Sequence, residues 1–322
     1  MSIALVFPGQ ASQSVGMLGS LAARFSQVGQ CFEQASQALG FDLWKLVAEG
    51  PAERLNSTEF TQPAMLVAGI ATWRVWRDQG GVLPTIVSGH SLGEFTALAC
   101  AEAIEFETAV RLVQYRGQIM QQAVPEGTGA MAVILGLPDE QVEAVCVEAA
   151  QGDVVQAVNY NSPAQVAIAG HASAVERAMN LAKERGAKRA MLLSVSVPAH
   201  SPLLSGAARQ LEARLSQIEI RRPLFRYLSA MDCAEHVEPA DIRATLVRQL
   251  ASPVRWTTAV RTLLASAPVL IECGPGKVLT GLNRRIERAA TCYALEDPDS
   301  LAAAVAATAT GAGSPGETDA RV

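Results

Sequence analysis

The chain has 322 residues, a formal net charge of −5, 49% hydrophobic residues and 18% charged residues. A chain of this length forms one or two domains and buries enough surface to need no disulfide or metal staple. Its composition excludes a disordered protein, and its acidic charge argues against a nucleic-acid partner while leaving room for a local basic patch.

In chain order, Ile3 to Phe7 reads as a buried strand stopped by Pro8-Gly9. Helical patterns run from about Val15 to Leu39, and a cluster of turn chemistry ends at Gln62-Pro63. A long helix then reaches Gln79 and stops at Gly80-Gly81. Thr85 to Ser88 is the next strand, followed at once by Gly89-His90-Ser91-Leu92-Gly93 and a helix to Ala101. Strands alternating with helices predict an α/β fold with a parallel sheet covered on both faces.

Residues 126–197 have their own rhythm. Strands are expected at 130–135, 154–159, 166–169 and 188–193, with helices at 139–150 and 172–185. That order, βαββαβ, is a ferredoxin-like unit. It predicts a small domain (126–197) inserted into a large, discontinuous α/β domain (1–125 and 198–306). After it come a helix at 201–217, a strand at 225–229, helices at 239–250 and 255–265, a strand at 269–272, and a helix from the Gly274-Pro275-Gly276 turn to about Arg288. Residues 307–322 read as a disordered tail.

Cys31, Cys100, Cys146, Cys233, Cys273 and Cys292 form no CxxC pair. With His90, His171, His200 and His236 they give no zinc spacing, so no metal is expected. Scattered cysteines fit a reducing compartment. The N-terminus has no basic leader before Pro8, and no apolar run approaches the ~20 residues of a membrane span. A cytoplasmic protein without membrane attachment is expected.

Three features carry chemistry. Gly89-His90-Ser91-Leu92-Gly93 fits GxSxG, with the strand before it and the apolar helix after it that this motif requires. Ser91 would stand out from the sheet end, with the Leu92 N–H facing an oxyanion formed on an acyl group. A serine needs a base. His90 is its neighbour on a tight turn and points away, and His171 and His236 sit in turn and loop contexts. His200 follows the extended run Ser194 to Pro198 and is the candidate base, a surface turn histidine being the alternative. Arg116 shares a helix face with Ala109, Leu112, Val113, Ile119, Met120 and Ala123. A guanidinium on an apolar stripe requires an anion, either a buried Asp or Glu or the carboxylate of a ligand.

Weaker signals remain. Asn159-Tyr160-Asn161-Ser162-Pro163 reads as a turn, with contact to a polar ligand as a second possibility. Gly274-Pro275-Gly276-Lys277 lacks phosphate-loop spacing and reads as a strand-to-helix turn.

Together these motifs resemble the malonyl-CoA:acyl carrier protein transacylases of fatty-acid synthesis. Matching stretches are Phe7-Pro8-Gly9-Gln10, Gln62-Pro63-Ala64, Gly89 to Glu94, Arg116-Gly117, Gly127 to Met131, Asn161-Ser162-Pro163, Ala169-Gly170-His171, Val195 to His200 and Gly274 to Leu279. The resemblance implies an α/β-hydrolase-like large domain with a ferredoxin-like insertion. It implies Ser91 as acylated nucleophile, His200 as base and Arg116 as partner of the malonyl carboxylate. The N–H groups of Gln10 and Leu92 would form the oxyanion hole, and the Gln249 carbonyl would orient the histidine. Gln62, His90, Asn159 and Asn161 are candidates to line the cleft. Malonyl-CoA is the implied substrate and acyl carrier protein the implied acceptor, with no cofactor.

Such carriers are acidic, so docking needs a basic patch. The candidates are Lys183, Arg185, Lys188 and Arg189, and separately Arg284, Arg285 and Arg288. Nothing forces assembly, and a monomer is expected. Two departures stand out: Ala11 where the family has glycine, which is strained if that site needs positive φ, and Ala199 where a serine often precedes the histidine. The competing readings are a malonyl transferase of malonate decarboxylase or a polyketide pathway, a serine thioesterase or hydrolase, and a non-catalytic carrier-binding subunit.

Overall fold

The computed structural model describes residues 1–193, 195 and 197–309. Its strands are β1 (Ile3–Phe7), β2 (Ile86–Gly89), β3 (Gly129–Leu135), β4 (Val155–Ser162), β5 (Gln165–His171), β6 (Arg189–Leu192), β7 (Arg226–Leu228), β8 (Val269–Glu272) and β9 (Thr291–Ala294). They form two sheets.

The first sheet has the order β7-β2-β1-β8-β9, and every neighbouring pair is parallel. All residues of β1, β2 and β8 are buried, as expected of strands covered on both faces. Alternate side chains explain the two covers. Ile3, Leu5, Phe7 and Val87 pack with helices including Ser26–Leu39, Thr58–Asp78 and Phe106–Gln121. Ala4, Val6, Ile86 and Leu270 pack with helices Trp256–Ser266 and Val278–Ile286. Helix Thr58–Asp78 is buried nearly all round, which makes it a core element rather than a surface one.

The second sheet is antiparallel with the order β4-β5-β3-β6, the ferredoxin-like arrangement. Helices Asp139–Ala150 and Ala172–Glu184 cover one face. Met131, Val158, Ala167 and Ala169 form the other face, against Val195 and Ala199. β4 is tied to the main body through Val254: Tyr160 N–H donates to its carbonyl (2.9 Å), and its N–H donates to Val158 O (2.8 Å).

Several expectations change. Gln62-Pro63 lies inside helix Thr58–Asp78, not at a turn. Pro63 is the sixth helical residue and forfeits the bond an N–H there would make to the Glu59 carbonyl; the burial of this helix nearly all round offsets that loss. Residues 159–162 belong to β4, whose register shifts at Ala157/Asn159 and Tyr160/Ser162 bend it without ending it. β9 and helix Pro298–Ala309 were not expected; an Ala-rich stretch gives little amphipathic signal until it packs. Thr308 is buried in that helix, so the expected tail is helical at 307–309, and 310–322 lie outside the described residues. Ser194 and Ser196 of the extended run before His200 also lie outside them. Among the described residues no helix is long and apolar enough to cross a membrane.

Candidate active site

The turn between β2 and helix Gly93–Cys100 holds Ser91 at φ 53°, a left-handed conformation. For a non-glycine residue this costs on the order of 1–3 kcal/mol and persists only where the surroundings enforce it. They do so here through close approach. A Cβ on Gly89 would stand 1.9 Å from the Gly93 carbonyl carbon, and one on Gly93 would stand 2.0 Å from Phe7 O. Both glycines are therefore required by contact rather than by torsion. His90 N–H donates to Phe7 O at 3.0 Å, which ties the turn to the end of β1.

His200 arrives from a different segment and also lies at positive φ, 64°. Its N–H donates to Leu250 O (3.2 Å), and its carbonyl accepts from Gln156 Nε2 (3.1 Å). Its Nδ1 lies 2.8 Å from Gln249 O. A carbonyl only accepts, so Nδ1 carries the proton and Nε2 presents its lone pair. That lone pair faces Ser91 Oγ at 2.7 Å.

Arg116 sits on the buried face of helix Phe106–Gln121 and has no solvent exposure. The following residue explains how it reaches the site. A Cβ on Gly117 would meet Thr58 O and Glu59 Cα at 2.7 Å, so the glycine lets this helix press against the start of helix Thr58–Asp78. Arg116 Nη1 donates to Gln62 Oε1 (2.9 Å). Nη2 donates to Gln249 Oε1 (3.1 Å) and to Ser91 Oγ (3.3 Å). The guanidinium stacks over Phe95, 5.3 Å from the ring centre, and its Nε has no partner among the described residues. Its direct acceptors are neutral, so of the two expectations for this cation, a contacting buried Asp or Glu is not what is found.

Electrostatics follow from burial. Desolvation, then the nearby Arg116 charge, pull the His200 imidazole down to about 3, so it is neutral at any physiological pH. Desolvation lowers Arg116 to about 10, opposed by the charge of Glu94, and it stays cationic. Burial likewise lowers His90, opposed by its hydrogen bond to Asn161.

A cavity of about 280 Å³ opens onto Ser91, His200 and His90; Arg116 and Gln62, both fully buried, do not line it, so Gln62 holds Arg116 rather than forming the expected part of the cleft wall. Gln10, His90, Ser91, Asn159, Asn161 and His200 line it on the polar side. Met131, Val133, Ala167 and Leu193 close it from the antiparallel sheet, and Val278, Leu279 and Leu282 from helix Val278–Ile286. His90 Nε2 lies 2.9 Å from Asn161 Oδ1, which joins the serine turn to β4. The backbone N–H groups of Gln10 and Leu92 have no partner among the described residues. Ala11 beside Gln10 has φ 78°, the strained geometry anticipated for alanine at that position.

The structure thus brings together Gln10, Gln62, His90, Ser91, Leu92, Arg116, Asn159, Asn161, His200 and Gln249. Lys183, Arg185, Lys188, Arg189, Arg284, Arg285 and Arg288 are exposed, and none of them lines the cavity. Arg185 is ion-paired with Glu148, and Arg284 donates to Cys292 O (2.9 Å). Arg285 donates to Gln165 Oε1 (2.8 Å), a residue of the cavity wall. Sequence reasoning missed the side chain of Gln249, the Gln156 contact and Glu94. Glu94 carried a usable signal, since it is the one charge in the short, mostly apolar helix Gly93–Cys100.

A strained serine on a nucleophile elbow, paired with a neutral histidine, is the construction of acyl-transferring α/β proteins. The chain belongs to the acyl transferase domain family, which matches residues 4–292. It is 52% identical over 303 residues to the malonyl CoA-acyl carrier protein transacylase of Escherichia coli strain K12, covering 94% of this chain and 98% of that one. Identity to the Bacillus subtilis strain 168 protein of the same name is 40% over 305 residues, covering 94% and 96%. Among solved structures, the Coxiella burnetii malonyl CoA-acyl carrier protein transacylase matches with TM-score 0.94 and 46% identity, covering 95% of this chain and 97% of that one. A malonyl-transacylase solved in complex with a type II PKS acyl-carrier protein matches with TM-score 0.94 and 50% identity, covering 95% and 100%.

Proposed function

We propose that this chain transfers the malonyl group of malonyl-CoA to the phosphopantetheine thiol of an acyl carrier protein in fatty-acid biosynthesis, through a malonyl ester on Ser91. The observation that carries this reading is the buried guanidinium of Arg116, 3.3 Å from Ser91 Oγ. A carboxylate held on that cation lies close to the carbonyl that Ser91 attacks. One methylene between the two is the spacing of a malonyl thioester. An acetyl group offers the guanidinium no carboxylate to grip.

In the first half-reaction His200 Nε2 takes the proton of Ser91 Oγ as the oxygen bonds to the thioester carbon. The C–S bond breaks and the coenzyme A sulfur leaves with the proton from His200. In the second, the carrier thiol gives its proton to His200, its sulfur bonds to the ester carbon, and Ser91 recovers the proton. Leu92 and Gln10 N–H groups are the proposed donors to the oxyanion. Every bond and proton is accounted for by Ser91, His200 and the two thiols, so the reading requires no cofactor. It includes a cytoplasmic monomer, in keeping with the free cysteines. The two basic patches are the proposed carrier surfaces: Arg285 touches the cavity wall, and β6 with Arg189 runs directly into Leu193.

Mass spectrometry after mixing with malonyl-CoA tests the reading. The expected result is one added malonyl group on the protein, none on Ser91→Ala, and discharge by holo carrier protein. An adduct that water clears as fast as the carrier does would make the protein a hydrolase. No adduct at all would leave a non-catalytic carrier-binding subunit.

A further inference from the structure

Glu94 is the one charged residue of helix Gly93–Cys100, and its side chain has no solvent exposure. Nothing in the reaction above uses this carboxyl. It accepts from Ala230 N–H (3.0 Å) and from the Tyr227 hydroxyl, and the polar Ser229 and Gln249 side chains beside it also favour its charged form. A group so surrounded by donors is built to hold negative charge. Its link to the site is Gln249. The Gln249 amide nitrogen donates to Ser91 O (3.0 Å) and lies beside Glu94, while the amide oxygen accepts from Arg116 Nη2 (3.1 Å). A carboxylate on the nitrogen side orients that amide with its oxygen toward the cation. Glu94 and Arg116 are thus opposite charges, both without solvent exposure, with the Gln249 amide beside each of them.

Resting on the reading of Arg116 as the carboxylate grip, we propose that Glu94 is a positioning residue: it is the counter-charge of Arg116 in the empty site, and it takes a proton when the substrate carboxylate docks. The reasoning is charge balance. One buried guanidinium neutralises one buried anion, and a second carboxylate arriving on Arg116 removes the attraction that held Glu94 ionised. Burial has already pushed Glu94 up to about 7, opposed by its donors, so a small further rise adds a proton near neutral pH. The other titratable groups around it are accounted for. Tyr227, on β7, is buried and raised further by Glu94 itself. Asp232 and His236 pair with each other at 3.1 Å beyond Tyr227, Cys233 is raised by burial, and His200 is already neutral.

The test is calorimetry of malonyl-CoA binding to the Ser91→Ala protein near pH 7, in buffers of different ionisation heat. Acetyl-CoA is the control for protons exchanged by the coenzyme A portion. The expected result is uptake of a fraction of a proton with malonyl-CoA beyond that with acetyl-CoA. Malonyl-CoA affinity should weaken as pH rises through 7, by at most roughly tenfold per pH unit. Glu94→Gln in the same background should bind malonyl-CoA with the excess uptake gone. Tyr227→Phe, which removes one donor to the carboxylate, should move the uptake to higher pH, and it serves if Glu94→Gln does not fold. Malonyl-CoA preferred over acetyl-CoA with no excess uptake would overturn the proposal alone, as would uptake unchanged in Glu94→Gln or at unchanged pH in Tyr227→Phe. Equal binding of the two thioesters, insensitive to Arg116→Ala, would remove the reading of Arg116 and this proposal with it.

Discussion

The body built on the parallel sheet and the antiparallel sheet meet at one cavity but bring different things to it. The body supplies every strained or charged group: Ser91 and His200 at positive φ, Arg116 without exposure, and Glu94 beneath them. The antiparallel sheet supplies neutral amides and apolar surface: Asn159, Asn161, Gln165, Met131, Val133 and Ala167. Strain and buried charge need a rigid, over-determined surrounding, and strands buried on both faces provide one. Shape selection needs only a wall. Substitutions in the body should therefore change rates, and those in the antiparallel sheet should change substrate binding.

The largest expected effect is His200→Ala, which removes the base while leaving the elbow intact. Transfer should fall by a factor on the order of 10⁴, measured as kcat/KM. A loss of only a few-fold would put the base elsewhere. Next is Arg116→Ala, expected to lower malonyl transfer relative to acetyl by about 2–5 kcal/mol of transition-state preference. The ratio of the two kcat/KM values checks it, and an unchanged ratio would place the carboxylate elsewhere.

The pH profile sharpens the same point. Burial and Arg116 both hold His200 at about 3, so the acid limb of kcat/KM should lie well below pH 6.5. Arg116→Ala removes one of those two causes, so the limb should move upward. An acid limb at 6.5 in both proteins would show that the imidazole titrates as if exposed. The smallest effect should come from the antiparallel sheet. Asn161→Ala loses the 2.9 Å contact to His90, at a cost of about 1 kcal/mol, seen as a several-fold rise in KM for malonyl-CoA with kcat nearly unchanged. A large fall in kcat instead would mean that this sheet also positions the serine turn.

Much of the site was legible because its signals are local. GxSxG between a strand and a helix announces an elbow, and a lone arginine on an apolar stripe announces a buried cation seeking an anion. The order βαββαβ marked the antiparallel sheet for a similar reason, since each element carries its own period. Pro63 and residues 159–162 misled because proline and asparagine are turn residues on average. A buried helix and a bulged strand accept them when packing requires it. β9 and the Ala-rich last helix were invisible because their stability comes from neighbours rather than from pattern.

The amino-acid sequence by itself determined that a serine would be thrust from a sheet end, that an arginine would be carried into the interior, and that two kinds of sheet would form. Only the tertiary structure decided that His200, Gln249 and Gln62, distant in the chain, converge on that serine and that arginine. It alone tied the Gln249 side chain to both Arg116 and Ser91 O and set Glu94 beside it. The physical reason is range. Propensity and periodicity act over one element, whereas the hydrogen bonds and desolvation that tune this site exist only once separate elements have excluded water together.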